Sequence, residues 1–442
     1  MALAEKVDET GQAAPAVEVT STDQLAEPPR PAPATVPGDY PLGKVRAWST
    51  VAGSFLLTFC VAGLPAAFGV FQDFYTQKYL SNESASTISW IGSMQLFIEM
   101  AFAPVAGVLF DARQFRTTVV AGSVLTTFSF FMLSLAKEHQ YYQIFLSQGI
   151  GMGLGFGLLY LPCATVVSAH FKTRKALALG IVSSSGSLGG IAFSIMLNYF
   201  LNGRVGFAWG VRIAAFITLG CCVLGIMLMV EPPRPPRPAN QANKTSRASG
   251  LWDLPYVMIM WGAFLASLAT YFPIFYVQLF AVLHGIDQTL AFYSVAILNA
   301  SCIFGRIVPN YLADKFGAMN AFMGCLGLCG PVTIAMLACG HPVGLVLFTI
   351  FYGFFVGGIL SVYLPMIASL KTNPAIIGKR MGISLVPVGV AYLIGSPIIS
   401  ATLGPDLIWW KGIAFAAIVM VVSLVNLMTV KWVVLRRRNE NH

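Results

Sequence analysis

Apolar residues along this chain come in long runs separated by short polar stretches. Twelve runs stand near 48–71, 87–110, 117–136, 141–169, 176–200, 207–230, 253–282, 290–312, 318–339, 342–369, 380–403 and 409–432. Each approaches or exceeds the ~20 residues a helix needs to cross a bilayer. The pattern predicts an all-α membrane protein with twelve transmembrane helices in two sets of six. Residues 1–46 read as a disordered cytoplasmic tail, because their Ala, Pro, Glu and Thr cannot bury a core. Residues 47–230 form the N-terminal half and 253–433 the C-terminal half. Between them, 231–252 carries Pro232-Pro233-Arg234-Pro235-Pro236-Arg237-Pro238 and reads as a flexible, partly extended linker. Residues 434–442 remain as a short cytoplasmic tail.

Composition agrees. Of 442 residues, 56% are hydrophobic and only 10% charged, with a mean hydropathy of +0.73. Soluble domains carry ~25% charged residues. The net charge of +9 sits in the membrane part, since residues 1–46 hold seven acids against four bases. With the N-terminus inside, thirteen Lys and Arg fall in inner loops and four in outer loops, so the bias toward cytoplasmic positive charge places both termini in the cytoplasm. Bases scattered between apolar runs make no nucleic-acid footprint. Asn82-Glu83-Ser84 then faces outward as a glycosylation sequon at Asn82. The eight Cys lie in apolar runs without C-x-x-C spacing and read as small buried residues, with no metal site.

The two sets repeat. Asp111 and Asp314 lie 203 residues apart, as do Tyr160-Leu161-Pro162 and Tyr363-Leu364-Pro365. Six plus six spans with a central linker is the plan of a secondary transporter whose site lies between its halves.

Several motifs, in order, resemble the major facilitator superfamily. Gly107-x-x-x-Asp111 and Asn310-x-x-x-Asp314-Lys315-x-Gly317 are similar to its loop motif G-x-x-x-D-[RK]-x-G, although Ala112 replaces the basic residue in the first copy. The resemblance implies a conformational latch built from Asp111, Arg113, Arg116, Asp314 and Lys315. A carboxylate there can also meet the positive end of a helix dipole. Gly43-Lys44-Val45-Arg46-Ala47-Trp48, Phe68-Gly69-Val70-Phe71-Gln72, His170 to Gly180, and Gly305-Arg306-Ile307 to Asp314 resemble monocarboxylate-porter-like proteins, especially their fungal branch.

Ionisable residues inside spans are costly and are functional candidates. Arg306 lies well inside the eighth run, where the resemblance implies contact with a substrate carboxylate; a planar guanidinium suits that task. The resemblance also implies a proton-coupling Asp one turn earlier, but this chain has Cys302 there. Glu99, in the middle of the second run, is the remaining candidate for proton coupling. Asn299, Tyr160, Tyr276 and Tyr363 are candidate substrate-binding residues, and Tyr271-Phe272-Pro273 is expected to break the seventh helix. No phosphate loop, cofactor motif or paired intramembrane acid is present, which argues against an enzyme and leaves a gradient as the energy source. Two readings of the cargo stay open. One is a small organic anion with one carboxylate, taken up alone or with a proton. The other is export of a secondary metabolite or other amphipathic natural product. The expected partners are the small-molecule substrate, a proton and the lipid bilayer. The expected functional unit is one chain in the plasma membrane.

Overall fold

The computed structural model describes residues 43–171, 174–231, 252–370, 376–404 and 408–440. Most of the tail at 1–46, the bulk of the 231–252 linker, and Lys172 and Lys371 lie outside them. Among the described residues, twelve helices are long and apolar enough to cross a membrane: α1 (Lys44–Tyr79), α2 (Ser86–Asp111), α3 (Phe115–Leu133), α4 (Tyr141–His170), α5 (Lys175–Asn202), α6 (Gly206–Leu228), α7 (Leu254–Leu283), α8 (Gln288–Phe316), α9 (Ala318–Ala338), α10 (Pro342–Ser369), α11 (Ile377–Gly395) and α12 (Trp409–Val433). No strand occurs among the described residues. In hydrocarbon each unpaired backbone group costs several kcal/mol, so an apolar chain closes its hydrogen bonds within helices.

Local chemistry sets several helix ends. Ser84 accepts the Thr87 amide at 3.1 Å ahead of α2, and the Asp287 carboxylate accepts the Thr289 and Leu290 amides ahead of α8. Pro255 and Pro342 occupy first-turn positions of α7 and α10, where no amide is required. Gly317, at φ 90, is the single residue between α8 and α9. A side chain is strained at that φ, so the turn depends on glycine.

The structure departs from the sequence pattern in three places. First, α1 runs past residue 71 through a π-helical turn at Tyr75–Tyr79. The buried Tyr75 hydroxyl donates to Gln148 Oε1 at 2.7 Å, inside a second π-helical stretch at Phe145–Met152 of α4. Second, the break expected at Tyr271-Phe272-Pro273 is absent: α7 passes through Pro273 without interruption. Pro273 removes the ladder donor for the Ala269 carbonyl, and the next carbonyl, Thr270, accepts the Tyr352 hydroxyl at 2.6 Å. Third, the last helix continues to Glu440, so residues 434–440, expected as a tail, are helical.

All eight cysteines are free thiols, seven of them buried. The ends of the bundle at Lys44 and Val433 share one face, here called the terminal face, because the number of crossings is even. Within the first six helices α2 packs on α4 and α1 on α5. Within the last six α8 packs on α10 and α7 on α12. Between the two sets the main seams are α2 against α11 and α5 against α8.

Candidate functional site

Both seams draw together from the terminal face to mid-helix. At the terminal end, Asp111 closes α2 and its carboxylate accepts the amides of Gly378 (3.2 Å) and Lys379 (2.8 Å), the first turn of α11. Asp314, near the end of α8, accepts the amides of Ala176 (2.9 Å) and Leu177 (2.8 Å), the first turn of α5. Each half therefore caps a helix of the other, and each cap places negative charge on the positive end of a helix dipole. Arg116 is exposed, Lys315 lies over the Tyr311 ring at 4.5 Å, and Arg113 is exposed with left-handed backbone, φ 65.

At mid-helix the seams carry the ionisable residues. Arg306 Nη1 donates across the α5–α8 seam to the Ser183 carbonyl at 2.6 Å and to its hydroxyl at 3.3 Å. Arg306 Nε is buried and donates to nothing. Glu99 on α2 is 2% exposed, and its Oε2 has no hydrogen-bond partner. Neither residue forms an ion pair among the described residues. Glu99 and Arg306 each lie within electrostatic reach of Tyr160 and Tyr271, and Tyr392 within reach of Glu99, Tyr160 and Tyr271. The rings of Tyr271 and Tyr392 meet at 4.4 Å. Beside this cluster is a cavity of about 30 Å³, lined by Met100, Tyr160, Ser267, Leu360, Tyr363 and Tyr392 among others. It has room for about one water.

The other expected residues are placed as follows. Asn299 sits about two turns before Arg306 on α8; its amide donates to the Val295 carbonyl at 3.0 Å, and its Oδ1 faces Gly190 of α5. Tyr363 lines the cavity with its ring, while its hydroxyl donates to the Ser384 carbonyl of α11 at 2.7 Å. Tyr276 is set apart from the cluster, packed against Phe272 and Trp409 toward the far face. Cys302 is turned away to α10, where its thiol donates to the Gly353 carbonyl at 3.0 Å. Asn82 is exposed on the far face, and its Oδ1 meets His139 Nδ1 at 3.0 Å.

The fold just described has a match in sequence. Residues 48–375 match the family model of the Major Facilitator Superfamily. The chain belongs to this superfamily. Among curated relatives it is 36% identical to the aspyridones efflux protein of Emericella nidulans, over 87% of this chain and 77% of that one. It is also 36% identical to the agnestins efflux protein of Paecilomyces divaricatus, over 80% of each. Among solved structures it resembles the Escherichia coli fucose:proton symporter, with a TM-score of 0.68 at 14% identity, covering 88% of this chain and 99% of that one. This major facilitator protein is a membrane transporter, not an enzyme.

Three residues of this transporter escaped the sequence reading as site or seam elements. Tyr392 is one tyrosine in an apolar span, with no local signal to separate it from packing aromatics. Tyr271 was legible only as a neighbour of Pro273. Arg380, counted as a loop cation, is 3% exposed: it pairs with Asp253, and its guanidinium lies 4.3 Å over the Tyr256 ring. The Tyr256 hydroxyl donates back to the Arg380 carbonyl at 2.6 Å, tying α7 to α11.

Proposed function

We propose that this transporter exports an amphipathic secondary metabolite by alternating access. The observation that carries the reading is the pair of relatives named as efflux proteins, each matched over at least four-fifths of this chain. The site chemistry supports it. The phenols of Tyr160, Tyr363 and Tyr392 stand among mainly apolar walls that include Met100, Leu360 and Val388, and Arg306 and Glu99 lie within electrostatic reach of Tyr160. Such a lining suits a molecule with both an apolar body and a polar group. Cys302 stands where the resemblance to monocarboxylate porters implies a proton-coupling acid.

In this reading residues 47–230 and 253–433 move as two bodies, one chain holds a complete path, and Glu99 exchanges a proton. The test is the partition of metabolites between cells and medium in the producing organism, followed by mass spectrometry. Loss of the gene is expected to retain at least one amphipathic product in the cells, and the wild-type gene restores its release. An unchanged partition, together with saturable lactate uptake by the same protein, would reverse the reading. For the restored export, Glu99→Gln is expected to lower the rate at least about tenfold, the equivalent of ~1.4 kcal/mol, and to abolish its response to an imposed pH gradient. A mutant that responds to the gradient like wild type removes Glu99 from coupling.

The same proposal places the terminal face in the cytoplasm of a plasma-membrane protein and Asn82 outside. Peptide N-glycosidase is then expected to increase the gel mobility of wild-type protein and leave Asn82→Gln unchanged. Identical mobility of both before and after treatment would show that the sequon is unused.

A further inference from the structure

A groove of about 560 Å³ runs down the outer surface of the bundle between α9 and α12, away from the transport path. Gly324 and Gly327 form its α9 wall. A Cβ at Gly324 would meet nothing within 4 Å, and one at Gly327 would only touch Leu424 at 3.4 Å. The opposite wall is Leu424, Met428, Lys431 and Trp432. Along its length the groove is apolar and open to the hydrocarbon, since Leu328 and Met428 are more than half exposed. At the terminal face it ends on Lys431, half-buried, with no acidic partner among the described residues, and on Trp432, 60% exposed. Arg436, Arg437 and Arg438 follow in sequence.

From this combination we infer that the α9–α12 groove binds one anionic phospholipid of the terminal-face leaflet, with an acyl chain in the glycine-floored slot and the phosphate on Lys431. Charge complementarity selects the occupant. A slot with apolar walls and a cation at the depth of the headgroups matches a lipid anion at both ends. A tryptophan beside it sits where aromatic rings favour the interface. Four basic residues in eight positions at a helix end form the kind of juxtamembrane cluster that attracts anionic lipid. The glycines add what a polybasic tail alone lacks, which is a defined seat for the chain.

Native mass spectrometry of the full-length protein, delipidated in detergent and then titrated with phosphatidylserine or phosphatidylcholine, tests the site. Wild type is expected to retain one phosphatidylserine in preference to phosphatidylcholine. Lys431→Gln is expected to weaken that preference roughly fivefold, as for loss of one basic residue near a charged surface. Gly327→Leu, whose Cβ would meet only the Leu424 side chain, adds bulk to the slot and is expected to reduce retention of the bound lipid while leaving Lys431 in place. Equal retention of the two lipids by wild type would overturn the inference. So would loss of preference in an Arg436→Gln/Arg437→Gln/Arg438→Gln variant with none in Gly327→Leu, because diffuse attraction would then explain the binding. Dimers that form through this face and exclude lipid would overturn it as well.

Discussion

Arg306→Ala is expected to reduce transport about ten- to a hundredfold, while the protein still reaches the membrane. The guanidinium is held by α5 backbone and hydroxyl oxygens at Ser183, and it forms no ion pair with a carboxylate among the described residues. Room for it comes from Gly186, where a Cβ would stand 3.1 Å from Nη1. Hydrogen bonds to charged groups contribute about 1.5–3 kcal/mol each, which corresponds to the stated loss if one is made to substrate or re-formed at each cycle. Arg306→Lys keeps the charge but loses the planar fork, and an intermediate rate is expected. The measurement is the initial export rate per surface molecule, with KM separated from kcat. A raised KM marks a substrate contact. A rate and KM equal to wild type in Arg306→Ala would end the binding role. Thermal stability falling in step with transport would assign Arg306 to helix packing.

Gly180→Leu is expected to prevent closure of the terminal face. A Cβ at Gly180 would stand 2.4 Å from the Arg306 carbonyl oxygen and 2.8 Å from Asn310 Cβ, across the α5–α8 seam. The first obstacle is backbone, which no side-chain rotation clears. Overpacking of this kind costs about 1–3 kcal/mol or more, and each ~1.4 kcal/mol moves the open-to-closed ratio tenfold. Because the clash lies between halves, each half keeps its own packing. The α2–α11 seam carries the matching constraint at Gly107, whose Cβ would overlap the Gly378 carbonyl. Asp111→Ala and Asp314→Ala each remove a two-amide cap worth about 1 kcal/mol, so smaller shifts in the same direction are expected, and the double variant should shift further. Spin-label distances across the terminal face report the opening. Wild-type distances in Gly180→Leu would show that the seam does not govern closure, and unchanged distances in the double aspartate variant would remove the latch role.

The twelve spans, their number per half and most of their ends were legible in the amino-acid sequence. Membrane insertion depends on apolar content summed along a local stretch, and about twenty residues suffice to decide it. The 203-residue offset between Asp111 and Asp314 was legible for the same reason, since each motif is local. What each carboxylate holds was not. Asp111 reaches amides 267 and 268 residues away, and Asp314 reaches back 137 and 138, so the reciprocal caps exist only once the halves meet. The bonds from Tyr75 to Gln148 and from Tyr352 to the Thr270 carbonyl likewise join residues 73 and 82 positions apart. Glu99 and Arg306 were conspicuous in sequence as charges in apolar runs. Tyr392 beside them was not, because a tyrosine in such a run looks the same whether it packs or lines a path. The sequence by itself determined the spans and the intramembrane charges, because solvation in lipid is a local cost. Tertiary structure alone decided the partners, because hydrogen bonds and close glycine contacts depend on distances between helices that no local pattern specifies.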